Sequence, residues 1–243
     1  MPRETPVAWV TGAAGGIGRA TVARLRREGF LVLASDLPAA LPQDGGEEGV
    51  VWHACDATDE AEVSAAVGAC LGHYPRLDAV IHLAGTVGAG PLAETSLSEW
   101  RTVVDANLTS AFLVARAAHG ALRTARAGSL VLMSSTNALN GGSALSGPAY
   151  AAAKAGVLNL TRYLAREWAP DGIRVNCLAP GPVDTPMLRR LDARTLDALK
   201  AKVPLGRLVA AEEVADAIAY LCSKGARCLT GTVHNLSGGL VLD

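Results

Sequence analysis

Two residues four apart, Tyr150 and Lys154 in Tyr150-Ala151-Ala152-Ala153-Lys154, offer a proton-transfer pair. They lie in a stretch read as a helix over 148–168, with Pro148 near its first turn, where a missing N–H does no harm. On a helix, an i, i+4 spacing puts both side chains on one face. A tyrosine hydroxyl ionises at about pH 10, so it is a poor base at neutral pH. A nearby ammonium favours the phenolate and lowers that value, and a cationic cofactor ring adds to the effect. Tyr150 could then take the hydroxyl proton of an alcohol while a hydride leaves the same carbon. The spacing alone is common, since an aromatic ring packed on a lysine stem produces it too. Its weight depends on what surrounds it.

A second stretch with chemical meaning opens the chain. A strand over 7–11 runs into Thr11-Gly12-Ala13-Ala14-Gly15-Gly16-Ile17-Gly18, and a helix follows over 16–28. Gly12 permits a sharp exit from the strand. Gly16 and Gly18 remove side chains where backbone must approach a pyrophosphate and where helix must pack on strand. The start of the helix offers free N–H groups and a positive dipole end to phosphates. The spacing is not G-x-G-x-x-G, and a tight turn without a ligand uses the same glycines. Position in the first βαβ unit favours the dinucleotide. Asp36 follows the strand read over 30–35. A carboxylate there accepts hydrogen bonds from both adenosine ribose hydroxyls and repels a 2′-phosphate, which points to NAD rather than NADP. Capping the following loop is the other role open to it. Asp56 faces a similar choice between the adenine edge and the helix that begins at Asp59.

These residues meet only if an α/β frame positions them. Short β-branched runs over 50–54, 79–83, 128–134, 173–178 and 232–236 read as further strands. Helical patterns over 59–71, from Ser96 to about Arg123, over 187–202 and over 212–223 separate most of them. Asp59 with Glu62, and Ser96 with Glu99, have the spacing of capping boxes. Alternating strands and helices predict a doubly wound parallel sheet of about seven strands, helices on both faces, in one domain over 1–243. Half the residues are hydrophobic but only 4% are aromatic, so the core must rest on Ala, Val, Leu and Ile. The net charge of −1 and scattered Lys and Arg give no nucleic-acid or membrane patch. The cluster Arg24, Arg26 and Arg27 reads as a solvated helix end. Five cysteines, an odd number with no Cys-x-x-Cys pair, argue against a disulfide framework or zinc site and for a reducing compartment. No metal is expected. With neither a signal-peptide pattern nor a membrane-length apolar run, the expected location is cytoplasmic.

Taken in order, the motifs resemble the short-chain dehydrogenase/reductase family nearly end to end. Thr11 to Gly18 matches its TGxxxGIG, and Tyr150 to Lys154 its YxxxK. Asp105-Ala106-Asn107-Leu108 resembles the element carrying its helix-borne Asn, and Val131-Leu132-Met133-Ser134-Ser135 the strand ending in its catalytic Ser. Ala179-Pro180-Gly181-Pro182-Val183-Asp184-Thr185 resembles its PG segment over the nicotinamide. Pro204-Leu205-Gly206-Arg207, Thr230-Gly231 and Gly238-Gly239 match its C-terminal third. The resemblance implies a Rossmann-type oxidoreductase that passes a hydride between NAD and a secondary alcohol or ketone. It implies that Ser135 hydrogen-bonds the substrate oxygen and that Tyr150 is the acid/base. Lys154 would bind the nicotinamide ribose and lower the tyrosine pKa, and Asn107 would hold a water linking Lys154 to solvent. Gly12, Gly16, Ile17, Gly18, Asp36, Asp56, Ala57, Ala84, Gly85, Pro180, Gly181, Val183 and Thr185 would join Tyr150 and Lys154 around the cofactor.

The chain departs from the family where NNAG is usual, reading His82-Leu83-Ala84-Gly85. The missing amides need a compensating hydrogen bond, and His82 is expected to supply it as a satisfied core residue. Ser134 competes with Ser135, but strand alternation points them to opposite faces. Arg189, Arg190 and Arg194, in a short segment before Pro204, are expected on a solvated face. A 3-oxoacyl-thioester reductase, or 3-hydroxyacyl dehydrogenase, is the alternative enzyme. A non-catalytic nucleotide sensor is the alternative class, and it would be expected to lack the Tyr or Lys. The family's habit of pairing the helices equivalent to 98–123 and 148–168 implies a homodimer or homotetramer.

Overall fold

The computed structural model describes residues 5–43, 47–125 and 127–242; Met1 to Glu4 and the middle of the 38–49 loop lie outside the described residues. Chain order runs β1 (Val7–Thr11), α1 (Gly16–Arg27), β2 (Leu31–Asp36), β3 (Val50–Ala54), α2 (Glu60–His73), β4 (Ala79–His82), α3 (Leu97–Val104) and α4 (Ser110–Thr124). It continues through β5 (Ser129–Met133), α5 (Asn137–Asn140), α6 (Gly147–Trp168), β6 (Arg174–Pro180), β7 (Val183–Asp184), α7 (Ala193–Lys202), β8 (Val209–Ala210), α8 (Ala211–Cys222) and β9 (Val233–Leu236).

Seven strands form one parallel sheet in the order β3-β2-β1-β4-β5-β6-β9. Both faces are covered, so the central strands are largely apolar, and every residue of β1, β4 and β5 is buried. The period of two divides the core. Trp9, Leu33, Val80, Leu130, Leu132, Val175 and Cys177 face the layer of α2, α4 and α6. Ala8, Val10, Val32, Ala34, Ile81, Val131, Met133 and Leu178 face the layer of α1 and α8. Trp9 is fully buried, and its indole N–H donates to Ser35 Oγ at 2.8 Å, so its polar end costs little. No helix among the described residues is long and apolar enough to cross a membrane. All five cysteines are free; Cys55, Cys70 and Cys177 are buried, Cys222 is half-buried and Cys228 is exposed.

Strand order reverses at β1. The chain steps outward to β2 and β3, then returns to the other side of β1 as β4. A crevice therefore opens at the carboxyl ends of β1 and β4, where such sheets hold ligands. The glycine turn leaves one of those strands, and Leu83-Ala84-Gly85 leaves the other.

Several elements differ from expectation. Asp59 caps α2, accepting from Ala61 and Glu62 N–H, but Glu62 completes no box. Its carboxylate instead accepts from Asp56 N–H at 2.7 Å. The Ser96/Glu99 box does form. The helix expected from Ser96 to Arg123 is interrupted by a π-turn at Asp105–Thr109 between α3 and α4. The stretch over 187–202 splits into a 3-10 turn at Leu188–Arg190 and α7, because Asp192 caps a fresh helix through Thr195 N–H. Strands β7 and β8 pair as a small ribbon, an element not expected from the sequence.

Candidate active site

The glycine turn is shaped by backbone approaches that side chains would block. Gly12 has φ +64°, and a Cβ on it would lie 2.7 Å from Ala84 N. This lets the ends of β1 and β4 meet. A Cβ on Gly18 would lie 2.1 Å from Gly12 O, so the first turn of α1 folds directly over the loop. A Cβ on Gly16 would strike Thr185 Cγ2 at 2.8 Å. Residues on two distant segments thus close over one short stretch of backbone. Gly15 provides no side-chain cap, and the first-turn N–H groups of α1 face the crevice without one. Ile17 is partly buried against the α1/α8 core.

Asp36 ends β2 beside this turn. Its carboxylate accepts from Ala14 N–H at 2.9 Å and from Leu37 N–H at 2.8 Å. Both roles read from the sequence are therefore compatible: the side chain braces the following loop and stands at the glycine turn. Asp56 follows β3, the next strand in the sheet. Its Oδ1 accepts from Thr58 N–H and Thr58 Oγ1, at 2.8 and 2.7 Å, and Ala57 beside it is buried. The cap of α2 is Asp59, so Asp56 does not have that duty.

On the other side of the crevice, His82 is buried and bonded at both ring nitrogens. Nδ1 lies 2.8 Å from Thr11 Oγ1 and Nε2 lies 3.0 Å from Ser110 Oγ. Ser110 Oγ donates to Ala106 O, and Thr11 Oγ1 accepts from Leu83 and Ala84 N–H at 3.2 and 3.4 Å. One neutral tautomer satisfies the whole chain, with Thr11 donating to Nδ1 and Nε2–H donating to Ser110. Burial, with the nearby Lys154 ammonium, pushes the imidazole down to about 3. His82 is thus the compensating core residue and carries no charge at neutral pH. Sequence reading missed Thr11 and Ser110 as its partners. The signal was Thr11 standing opposite His82 in the β1/β4 register.

The π-turn aims Asn107 inward. Its Nδ2 donates to Thr86 O at 2.7 Å and to Val103 O at 2.8 Å. Among the described residues nothing donates to its buried Oδ1. A Cβ on Gly85 would lie 2.5 Å from that oxygen and 3.6 Å from Lys154 Nζ. Gly85 therefore leaves room between an orphaned acceptor and an ammonium, which a bridging water would satisfy.

Helix α6 brings the Tyr/Lys pair to the end of β5. Lys154 is buried, its Nζ donates to Met133 O at 2.8 Å, and it lies 5.5 Å from the centroid of the Tyr150 ring. Burial lowers its ammonium to about 8. Ser134 Oγ donates to Lys154 O at 2.7 Å, which commits that hydroxyl to the helix. Ser135 instead acts on Tyr150, whose phenolate it favours. The choice between the two serines thus follows from the geometry. The phenol of Tyr150 is raised above its ordinary value because burial outweighs the lowering by Ser135. Without a cationic cofactor ring, the lowering expected from a nearby ammonium does not outweigh burial.

Beyond β6, Pro180 O accepts from Thr136 N–H, and Gly181 N–H donates to Leu236 O, both at 3.0 Å. A Cβ on Gly181 would lie 3.1 Å from Ser237 Cα. The segment then enters β7 at Val183 and reaches Thr185 against the glycine turn. Arg189 pairs with Asp184 at 2.8 Å on the exposed surface, as a solvated face requires.

The family model described as Enoyl-(Acyl carrier protein) reductase matches residues 12–241. The chain is 38% identical to the cis-4-hydroxycyclohexanecarboxylate dehydrogenase of Sinomonas cyclohexanicum, over 96% of this chain and 95% of that one. It is 34% identical to the 3-oxoacyl-[acyl-carrier-protein] reductase FabG of Thermotoga maritima, over all of both chains. The crystal structure of gox2181 superposes with a TM-score of 0.91 at 31% identity, covering 98% of this chain and 96% of that one.

Proposed function

Because this chain belongs to the short-chain dehydrogenase/reductase family, we propose that it is an NAD-dependent oxidoreductase interconverting a secondary alcohol and its ketone through Ser135, Tyr150 and Lys154, with Asn107 in support. The observation that carries this reading is the meeting of three groups at the end of β5: the Ser135 hydroxyl, the Tyr150 phenol it acts on, and the Lys154 ammonium 5.5 Å from the centroid of the same ring.

The residues present fit a nicotinamide dinucleotide. Gly12, Gly16 and Gly18 form a cradle that a Cβ would fill, Thr185 closes over it, and Asp36 stands where an adenosine ribose would lie. Asp56 and Ala57 border the adenine side. Ala84 and Gly85 line the floor, and Pro180, Gly181 and Val183 line the nicotinamide side. When bound, the cofactor supplies the hydride acceptor or donor. Ser135 holds the substrate oxygen and steadies its charge. Tyr150 takes the hydroxyl proton in oxidation and returns it in reduction. Its raised pKa keeps it protonated at neutral pH without cofactor, which suits it as an acid. Lys154, charged below pH about 8, favours the phenolate in the other direction. Asn107 Oδ1 holds the water through which Lys154 exchanges a proton with solvent.

The name and full-length coverage of the Thermotoga relative support a second reading, reduction of a 3-oxoacyl thioester. Asp36 argues for NAD, and hence against a reductase drawing on NADPH. We further infer a cytoplasmic homo-oligomer. A panel of secondary alcohols, weighted toward hydroxyacyl thioesters and cyclic diols and run with NAD and with NADP, tests the proposal. NADH formation is expected, with Tyr150→Phe losing nearly all turnover while NAD still binds. Binding without turnover on any substrate would favour the sensor. A clear preference for NADP would overturn the role of Asp36.

A further inference from the structure

Ser146 occupies the N-cap of α6, where serine normally accepts a backbone N–H of the first turn, yet its side chain caps nothing. Its hydroxyl is used elsewhere. Asn137 Nδ2 donates to Ser146 Oγ at 2.6 Å, and that oxygen donates in turn to Ser143 O at 3.2 Å. Ser146 is buried, and its carbonyl accepts from Gly88 N–H at 3.0 Å. The backbone N–H of the same Asn137 donates to Ser135 Oγ at 3.2 Å. Asn137 is therefore tied at one end to the serine of the site and at the other to the turn that launches Tyr150. The loop wraps the amide closely, since a Cβ on Gly142, at φ +75°, would lie 3.3 Å from the Asn137 side chain.

We propose that Asn137 is a positioning residue for the reaction: its amide locks the end of β5 to the start of α6, and its N–H orients the Ser135 hydroxyl toward Tyr150 and the substrate oxygen. The orientation follows from hydrogen-bond capacity. A hydroxyl has one hydrogen and accepts on its lone pairs. With Asn137 N–H occupying one acceptor direction, the Ser135 hydrogen is left for the phenolate or the substrate. If the amide tie is lost, residues 137–146 can move, the N–H drifts from Ser135, and Ser135 drifts from Tyr150. Helix α6 and the cofactor cradle do not depend on this tie, because α6 is anchored by Ser134 and Lys154 to β5.

This inference rests on the proposed Ser-Tyr-Lys chemistry, so the test has one arm that needs turnover and one that does not. Asn137→Ala, Ser146→Ala and the double variant are compared with the wild-type chain. Turnover is expected to fall about tenfold to a hundredfold in each single variant with NAD affinity and Tm nearly unchanged, as small misplacements near reacting groups do. The double variant should lose little more than either single one, because both remove one tie. Separately, phenolate absorbance is titrated in the cofactor-free protein, with Tyr150→Phe to identify the Tyr150 signal. Its midpoint should rise in Asn137→Ala, since Ser135 no longer steadies the anion. An unchanged midpoint, or losses that add in the double variant, overturns the positioning role. Absence of turnover in the wild-type chain overturns the proposed activity instead, and the titration still decides the role of Asn137.

Discussion

At the scale of single residues, the site is built from polar groups whose partners are nearly all internal, and protonation follows from burial. His82 shows this best. It stands where relatives of this family usually have Asn, and a core histidine must stay neutral. Its folded value of about 3 lies below its ordinary 6.5, so the unfolded chain binds more protons between those limits. The stability contributed by the neutral ring is present above pH 6.5 and lost as pH falls toward 3. His82→Asn is expected to have a lower Tm than the wild type at pH 7, because the Thr11–Ser110 bridge is broken. It should then lose less Tm on acidification to pH about 5, which thermal melts at both pH values would read. An equal acid loss in both proteins would remove His82 from the account. Tyr150 and Lys154 were legible from residue type and spacing, and Asn107 only through the family resemblance. The direction of the Tyr150 shift was not, because it depends on how deeply the helix start is packed, which no spacing reports.

At the scale of elements, strands were legible wherever β-branched runs ended in turn residues, and the doubly wound sheet followed from their alternation with helices. The π-turn was not. Asp105-Ala106-Asn107-Leu108-Thr109 contains nothing that α-helix forbids, and the one-residue change in hydrogen-bond register leaves no mark in composition. Yet that change turns Asn107 toward Gly85. The β7/β8 ribbon escaped for a simpler reason: two residues per strand are too few to show a period. The glycine turn, in contrast, was legible to the residue. Gly18→Ala puts a methyl 2.1 Å from Gly12 O, a backbone atom that cannot swing aside. It is expected to destabilise the fold by about 3 kcal/mol or more in denaturant unfolding. Gly29→Ala serves as the control, since a Cβ there meets nothing within 4 Å. Its φ of +84° strains any side chain, so a milder loss is expected.

At the scale of the whole molecule, the outer faces of α4 and α6 are the surface that the proposed oligomer would cover. Phe112 on α4 and Tyr163 on α6 are 45% and 63% exposed, unusual for large rings in a core with so few of them. Arg116 lies over the Phe112 ring, and Arg162, Arg166 and Glu167 surround Tyr163 in a shallow cavity on α6. Phe112→Glu with Tyr163→Glu should shift sedimentation of the chain toward monomer while leaving the cofactor cradle intact. A wild-type chain that already sediments as a clean monomer would reject the assembly.

The cysteines described with the fold have a practical consequence. Burial pushes Cys55, Cys70 and Cys222 up to about 12 and Cys177 up to about 11, so hardly any thiolate exists at these four positions near neutral pH. Nucleophilic attack needs that anion and a path to it. Cys228, in the turn before β9, is the exposed one. A maleimide or iodoacetamide should therefore take up one equivalent in the native protein and five after denaturation, counted by intact mass. The molecule comes with a single natural attachment point for a fluorophore, on the edge of the sheet farthest from the adenosine side.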